Sequence, residues 1–168
     1  FGSGEHETTR GCIQAFEYLA KQHDLKNGLD MGCGSGILAI ALTKLWPAIR
    51  VAAVDIDPES IIVSARHADM NGVSDKITAE AGDGYHAPLV AQKARYDIIA
   101  SNILAGPLID MAPSLALHLK KGGFCVLSGL LKRQKDAVVA AHQEQGLRLV
   151  HAEEIGDWQA LVLQKPSL

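Results

Sequence analysis

A glycine-rich turn constrains the fold of this chain more than any other feature. The turn, Gly32-Cys33-Gly34-Ser35-Gly36, lies between an apolar run that ends at Leu29 and a helical pattern from Ile37 to Leu45. Glycines allow a tight turn and a close approach of the backbone to a ligand, and the free N–H groups at the start of a helix attract anions. Asp55 follows about 20 residues later, at the end of a second apolar run, where a carboxylate can bind a ribose diol. The spacing predicts a nucleotide-type crevice at the edge of an α/β sheet.

The rest of the chain alternates between short β-rich runs and helical patterns, which is typical of a doubly wound α/β sheet. Apolar runs at Val51–Val54, Tyr96–Ala100 and Phe124–Leu127 predict strands that are buried on both sides. Helical spacing predicts helices over Thr8–Lys21, Ile37–Leu45, Pro58–Met70, Pro107–Leu119 and Lys132–Gln145, with Asp57 as an N-cap. From Leu147 to Leu163 the pattern predicts a closing antiparallel hairpin with its turn at Gly156-Asp157.

Length, charge and cysteine content limit the class of protein. The chain has 168 residues, which fits one domain, and a net charge of −3 from 16 basic and 19 acidic side chains. This balance excludes nucleic-acid binding driven by bulk charge and leaves a local basic patch open, so we expect no strong nucleic-acid binding. No apolar run reaches the roughly 18 residues of a membrane span. Three widely spaced cysteines indicate a reducing setting without a zinc site. We expect a cytoplasmic monomer with no metal and no membrane contact.

The spacing of the glycines and the acid before them indicate which ligand the crevice binds. A dinucleotide fingerprint reads G-x-G-x-x-G, whereas here the third glycine comes one residue early and Asp30 precedes the first. Asp30 would repel a pyrophosphate, but it suits a ligand with an amine, which S-adenosylmethionine carries together with a sulfonium and a ribose. The sequence therefore predicts an S-adenosylmethionine site, with an NAD-type site and a plain structural turn as alternatives. Cys33 is interpreted as a small turn residue rather than a reactive thiol.

Polar residues elsewhere are candidates for the same crevice. Asp83, after the predicted third strand, would accept a hydrogen bond from an adenine amino group or support its own turn. Asn102 follows the fourth strand, where its amide oxygen would accept an N–H from an incoming amine; the alternative is a cap for the next helix. Phe1–Thr9 is predicted to be a loop that closes over the crevice, with Thr8-Thr9 capping the first helix. His6 as a general base is the weaker interpretation.

These motifs together resemble the bacterial methyltransferases that modify large-subunit ribosomal protein L11. Phe1–Thr9 is similar to the family's F-G-T-G-x-H-x-T-T loop, with Ser3 in place of its Thr. Asp30–Ala41 resembles the family's glycine motif and its helix, and Asp55–Pro58 resembles its ribose-binding turn. Asn102–Leu108 is the most specific segment, because the common amine and amide methyltransferases carry Pro-Pro after this Asn. The resemblance extends over essentially the whole chain.

The resemblance implies a Rossmann-like class I methyltransferase fold: a seven-stranded, mostly parallel sheet with a C-terminal antiparallel hairpin and helices on both faces. It implies that residues 1–168 form the S-adenosylmethionine-dependent methyltransferase domain, with the family's N-terminal substrate-binding domain absent. The implied reaction methylates α-amines and Lys ε-amines of ribosomal protein L11 and leaves S-adenosylhomocysteine as product.

Two other functions fit the cofactor motifs, namely a class I methyltransferase of a small molecule or RNA base and a non-catalytic S-adenosylmethionine-binding module. The resemblance implies cofactor contacts at Thr9, Gly32, Asp55 and Asn102. The residues themselves add Asp30, Gly34, Ile56 and Asp83 to the predicted cofactor site, and Asn102 is the predicted catalytic residue.

Overall fold

A computed structural model describes residues 5–167, which contain six α-helices and seven β-strands. No helix in this described part of the chain has the length and apolar character of a membrane span. Two 3₁₀ turns lie at Gly84–His86 and Lys132–Gln134. The elements follow one another as α1 (Glu5–Ala20), β1 (Asn27–Met31), α2 (Ile37–Leu45), β2 (Arg50–Asp55), α3 (Pro58–Met70), β3 (Ile77–Ala81), α4 (Pro88–Lys93), β4 (Tyr96–Asn102), α5 (Ala105–His118), β5 (Leu119–Leu131), α6 (Lys135–Gln143), β6 (Arg148–Ile155) and β7 (Trp158–Gln164).

All seven strands belong to one sheet, in the order β3-β2-β1-β4-β5-β7-β6. Strands β1 to β5 pair in parallel, and β7 runs antiparallel between β5 and β6. This confirms the predicted mostly parallel sheet with its antiparallel hairpin. The chain leaves β1 toward β2 and β3 and then crosses back to β4 on the other side. The carboxyl ends of β1 and β4 therefore form a topological switch point, where open α/β sheets bind their ligands.

Helices cover both faces of the sheet because the side chains of its buried strands alternate between two apolar clusters. In β4, Ile98 and Ala100 pack in the cluster that α1 and α2 cover. Ile99 packs in the opposite cluster, to which α4, α5 and α6 contribute Leu89, Leu108 and Val138. The two-sided burial explains why these strands read as continuous apolar runs.

Two helices and the hairpin have the boundaries that the sequence predicts. Pro58 occupies the first turn of α3, and the side chain of Asp57 caps the helix by accepting the N–H of Glu59 at 3.0 Å. The helix α2 begins directly after Gly36, which has a φ of 85°. In the hairpin, Ile155 pairs with Trp158 on either side of the predicted turn.

Other predicted boundaries are wrong. The helix α1 begins at Glu5, so Thr8 and Thr9 lie inside the helix and do not cap it. Thr8 is held there by the Oγ of Ser128, which donates to its carbonyl at 3.1 Å. The rest of the predicted loop, residues 1–4, lies outside the described residues.

The fifth strand is longer than predicted because both of its ends find partners. It begins at Leu119 rather than Phe124, since Leu119 pairs with Tyr96 and the backbone of residues 122 and 123 bonds to Lys165. Its other end continues to Leu131, which pairs with Trp158. The predicted helix over residues 132–145 is divided into a 3₁₀ turn and α6, and the short α4 was not predicted.

Candidate active site

Two adjoining cavities open at the carboxyl ends of β1, β2 and β4. The larger cavity, of about 370 Å³, has mostly apolar walls, whereas the smaller one, of about 170 Å³, lies against the glycine turn. Gly32 lines both. The larger cavity is lined by Met31, Val54, Asp55, Ile56, Asp83, Gly84, Ile103, Leu104, Pro107 and Met111, and the smaller by Thr9, Asp30, Cys33, Gly34, Ser35, Ile37, Leu38 and Asn102.

The glycines of the turn are required by its backbone conformation. Gly32, Gly34 and Gly36 have φ values of 82°, 51° and 85°, in the left-handed region that side chains disfavour. A Cβ at Gly32 would lie 2.6 Å from Cγ2 of Ile103, whereas a Cβ at Gly34 would meet no atom within 4 Å. The space beside Gly34 is the smaller cavity, so the turn brings bare backbone to the ligand crevice, as the sequence predicted.

Asp55 stands at the end of β2 with its carboxylate fixed by two backbone donors. Its Oδ2 accepts the N–H of Gly34 at 2.9 Å, and its Oδ1 accepts the N–H of Asp57 at 3.0 Å. A carboxylate oxygen can accept more than one hydrogen bond, so both oxygens retain capacity for the hydroxyl groups of a ligand. The carboxylate lines the larger cavity and joins it to the glycine turn.

Asp30 is buried, and only one of its two carboxylate oxygens has a hydrogen-bond partner. Its Oδ2 accepts the N–H of Ala39 at 3.1 Å, while its Oδ1 is buried without a partner. Burial raises the pKa of Asp30 to about 7; the hydrogen bond from Ala39 opposes that shift, and the charge of Asp55 adds to it. An unpaired buried acceptor of this kind is costly and favours a ligand that donates an N–H or carries positive charge.

Asn102 shows the same pattern in the lining of the smaller cavity. Its Nδ2 donates to Oγ1 of Thr8 at 3.3 Å, which fixes the orientation of the amide. Its Oδ1 is buried without a hydrogen-bond partner. The alternative role as a helix cap is wrong, because the residue that precedes α5 is Leu104. Thr8 therefore orients Asn102 from the first helix, a contact across 94 positions that the sequence pattern did not indicate.

The remaining predicted residues lie at the rims of the two cavities. Thr9, half-buried in α1, lines the smaller cavity. Ile56, which is 72% exposed, and the exposed Asp83 line the larger one. Asp83 precedes the 3₁₀ turn at Gly84–His86 but makes no capping hydrogen bond with its side chain, so the alternative in which it supports its own turn is wrong.

Two residues for which the sequence allowed a catalytic alternative, Cys33 and His6, do not face the crevice as reactive groups. Cys33 is buried beside Oγ of Ser64 at 3.5 Å, and burial raises the pKa of its thiol to about 12, so it is a turn residue without thiolate character. His6 is exposed and lines a neighbouring groove between α1 and α2 rather than the smaller cavity. Residues 5–167 contain no group of three or more side chains placed to hold a metal ion.

The apolar wall of the larger cavity was not predicted. It comes from the start of α5 and the residues before it, namely Ile103, Leu104, Pro107 and Met111. Leu104 is 58% exposed, so its side chain is accessible to an apolar ligand in the larger cavity. A run of apolar residues directly after Asn102, at a strand tip, is the signal that would have identified this wall.

Comparison with known proteins agrees with this geometry. The sequence pattern of the family described as Ribosomal protein L11 methyltransferase (PrmA) matches residues 1–166. Proteins named ribosomal protein L11 methyltransferase from Brucella suis and Mesorhizobium japonicum are each 42% identical to the chain over 98% of its length. The chain spans only 57% and 56% of those relatives, so it corresponds to little more than half of each.

Solved structures give the same result. The crystal structure of a ribosomal protein L11 methylase from Lactobacillus delbrueckii subsp. bulgaricus superposes with a TM-score of 0.85 at 31% identity, covering 97% of this chain and 81% of that one. An RNA methyltransferase from Salinibacter ruber, solved with S-adenosyl-L-homocysteine, has a TM-score of 0.71 at 16% identity and covers 93% of this chain and 91% of its own; this likeness is one of fold alone. Given the match over nearly every residue, the chain belongs to the ribosomal protein L11 methyltransferase family.

Proposed function

We propose that the chain is the S-adenosylmethionine-dependent domain of an N-methyltransferase that methylates amines of ribosomal protein L11. One observation carries the proposal: Asp30 Oδ1 and Asn102 Oδ1, both buried and unpaired, belong to the lining of a single small cavity beside the glycine turn. Such a pair of acceptors suits a site that receives amine groups, because each N–H would satisfy a buried atom that otherwise has no partner. Family membership supports the reaction class and the substrate.

The residues of the crevice fit the parts of S-adenosylmethionine. Asp55 would bind the ribose hydroxyls, and Asp30 would accept the amino group of the methionine portion. The apolar wall would contact the adenine ring between Ile56 and Leu104, with Asp83 accepting its exocyclic amine. Gly32 and Gly34 would let the backbone approach the ligand, and Thr9 would close the smaller cavity from α1. When bound, S-adenosylmethionine supplies a methyl group already activated on a sulfonium.

The chain's own contribution is to position the acceptor. Oδ1 of Asn102 would accept one N–H of the incoming amine and so aim its lone pair, with Thr8 holding the amide in place. The amine must be neutral to react, and a free Lys with a pKa of about 10.4 costs about 4.6 kcal/mol to neutralise at pH 7. An α-amine, with a pKa of about 7.7–8, costs only about 1 kcal/mol, so the α-amine is the easier acceptor.

The proposed substrate also suggests where in the cell the protein works and with which partner. A catalyst that modifies a ribosomal protein would act in the cytoplasm as a monomer, with the protein substrate as its partner.

The proposal is tested by replacing Asn102 in the full-length protein. Asn102→Ala removes the acceptor that orients the amine. We expect methyl transfer to ribosomal protein L11 to slow by at least tenfold and by up to about 100-fold, the cost of misplacing a reactant by about 1 Å. The affinity for S-adenosylhomocysteine should fall by only about 1 kcal/mol, as for one neutral hydrogen bond. Rates come from transfer of a labelled methyl group and affinities from calorimetry.

Asn102→Gln is the companion variant, because it keeps an uncharged amide with an acceptor oxygen and a donor and moves them by one methylene. It should retain more activity than the Ala variant. Equal proportional losses in rate and affinity would make Asn102 only a cofactor ligand. Wild-type protein that binds the cofactor but methylates a small molecule or RNA base instead of L11, or nothing at all, would support one of the two alternative functions.

A further inference from the structure

The edge of the sheet opposite to the crevice is strongly basic. At this edge lie the amino ends of β1 to β6 and the carboxyl end of β7, because β7 is antiparallel. Half of the 16 Lys and Arg residues lie within two positions of these strand ends, against two acids, Asp75 and Asp97; a third acid, Asp24, pairs with Lys26 at 3.2 Å. In a chain of net charge −3, positive charge is therefore concentrated on one edge. The eight basic residues, which we call the basic edge, are Lys26, Arg50, Lys76, Arg95, Lys120, Lys121, Arg148 and Lys165.

A cavity of about 530 Å³ lies in the basic edge, and the residues that line it within 5–167 are four cations: Arg95, Lys120, Lys121 and Lys165. Two of them are fixed by backbone carbonyls. The Nζ of Lys165 donates to Ala116 at 2.8 Å and to Leu119 at 2.9 Å, and the Nε of Arg95 donates to Leu117 at 3.2 Å.

The four charges are mostly unneutralised. Only Lys120 has a carboxylate partner, Asp97 at 3.4 Å, and among the described residues the other three cations make no ion pair. Their mutual repulsion is visible at Lys165, whose pKa is lowered by partial burial and then by the charges of Arg95 and Lys121. An anion in the cavity would relieve this repulsion and would find donors already held in place.

A second cavity continues the positive surface along the same edge. It has a volume of about 330 Å³ and is lined by Arg50, Lys76 and Lys93, with Asp75 as its one acid. It lies at the start of β2, and the four-cation cavity lies at the start of β5, three strands away in the sheet. At about 4.8 Å per strand the two cavities are about 14 Å apart, a distance that spans several phosphates of a nucleic-acid strand.

We propose that the basic edge binds the phosphate backbone of RNA. Two cavities rich in Lys and Arg, arranged in a line, fit a chain of evenly spaced phosphates better than the scattered carboxylates of a protein surface. Tyr96, which follows Arg95 in the chain, is fully buried and so offers no ring on which a base could stack. Binding is therefore electrostatic, independent of sequence and of moderate strength. The inference does not depend on the proposed methyl transfer.

The test measures binding of a fluorescein-labelled, 20-nucleotide single-stranded RNA by anisotropy between 25 and 200 mM KCl. We expect a dissociation constant of about 10⁻⁴–10⁻⁶ M, with a log–log salt slope of about −2 to −3, from three or four phosphates at about 0.7 each. The double variant R95E/K121E should weaken binding by at least tenfold and flatten the slope by about 1.4.

The matched control is R66E/R133E, which makes the same change of net charge on exposed residues of α3 and of the 3₁₀ turn after β5. It should change the affinity by less than twofold to threefold. Melting temperatures of both double variants establish that they fold. Equal losses in the two variants would mean that net charge alone drives binding, and no binding at 25 mM KCl would remove the site. Competition by poly-glutamate as strong as that by unlabelled RNA would assign the edge to an acidic protein instead; each of these three results overturns the proposal.

Discussion

Asp30 destabilises the fold in its ionised form, yet that same form favours binding of a ligand amine. One of its oxygens is satisfied by Ala39, and the other is buried without a partner. Because burial raises its pKa to about 7, the ionised carboxylate is unfavourable in the folded chain and becomes favourable when a cation lies beside it. A ligand amine would offset the cost, so the residue couples the charge of the ligand to the stability of the fold.

Asp30→Asn should therefore change how stability depends on pH. The folded-state pKa is above the unfolded value of about 3.9, so the wild-type chain loses stability as pH rises through the window from about 4 to about 7. The variant has no such group and should lack this part of the pH dependence. We expect the variant to gain stability relative to the wild type at pH 8 and to lose that advantage at pH 4. Urea unfolding at several pH values measures both.

Asp30→Asn should also change how ligand affinity depends on pH. In the wild type, rising pH lowers stability but should raise the affinity for the ligand. If the ligand amine faces Asp30, S-adenosylhomocysteine should bind the wild type more tightly as pH rises from 6 to 8, because ionised Asp30 attracts the ammonium. Calorimetry should show no such rise for Asp30→Asn. A pH-independent affinity in the wild type would place the amine elsewhere in the crevice.

Asp55→Ala removes the carboxylate that we assign to the ribose. Hydrogen bonds to a charged acceptor contribute about 1.5–3 kcal/mol each and do not add fully, so the affinity for S-adenosylhomocysteine should fall by about 2–4 kcal/mol. Asp55→Asn, which keeps one oxygen acceptor, should lose less. Because Asp55 also holds Gly34 and Asp57, circular dichroism must show that the turn region still folds. An unchanged dissociation constant would move the ribose to another part of the crevice.

At the scale of elements, the turn between β1 and α2 offers a matched pair of glycines. Both Gly32 and Gly34 have a left-handed φ, so an alanine at either position should cost about 1–2 kcal/mol of backbone strain. Gly32→Ala adds a clash, since its Cβ would lie 2.6 Å from Ile103, whereas Gly34→Ala meets open space. We expect Gly32→Ala to be the less stable protein in urea unfolding. Gly34→Ala should fold nearly normally and lose cofactor affinity, because its methyl enters the smaller cavity. Similar stability of the two variants would contradict this assignment.

The elements that the sequence predicted best are those with strong local signals. The boundaries of α2 follow from Gly36 and Pro47, and those of α3 follow from Asp57 and Pro58. The start of α1 was wrong because two threonines resemble a cap, whereas their real role is tertiary: Thr8 is tied to Asn102 and Ser128. The long β5 was missed for a similar reason, since its polar start is a strand only through its pairing with Tyr96 and Lys165.

The sequence predicted which residues line the candidate site, but not which of their polar atoms lack a hydrogen-bond partner. Each predicted cofactor residue lines one of the two adjoining cavities, because strand tips converge at the switch point of the sheet. The unpaired oxygens of Asp30 and Asn102 could not be predicted, because hydrogen-bond satisfaction depends on which distant residues are in reach. The basic edge was also hidden, since its residues are scattered along the chain and meet only through the order of the strands.

At the scale of the whole molecule, ligand binding should stabilise the fold selectively. The ligand contacts that we propose involve β1, β2, β4 and α1, so binding should raise the melting temperature of the entire domain. S-adenosylhomocysteine at 100 times its dissociation constant should add about 2.7 kcal/mol to the free energy of unfolding. NAD should add little, since Asp30 lines the cavity beside the glycine turn and would repel its pyrophosphate. Thermal scans measure the melting temperature with each ligand. A larger rise with NAD than with S-adenosylhomocysteine would contradict the assigned cofactor.

The position of β7 also decides when a growing chain can complete the crevice. Of the seven strands in residues 5–167, β7 is made last, yet it separates β5 from β6 in the sheet. Gln159 in β7 shares the hydroxyl of Ser128 with Thr8, so the last strand braces the first helix, which supplies a wall of the crevice. A ribosome that stops before Trp158 would release a chain whose β5 has an open edge and whose β6 has no neighbour, a state prone to pair with other chains. Translation must therefore run through β7 before the wall of the crevice that α1 supplies can be braced, so a truncation before Trp158 would leave the proposed site unfinished.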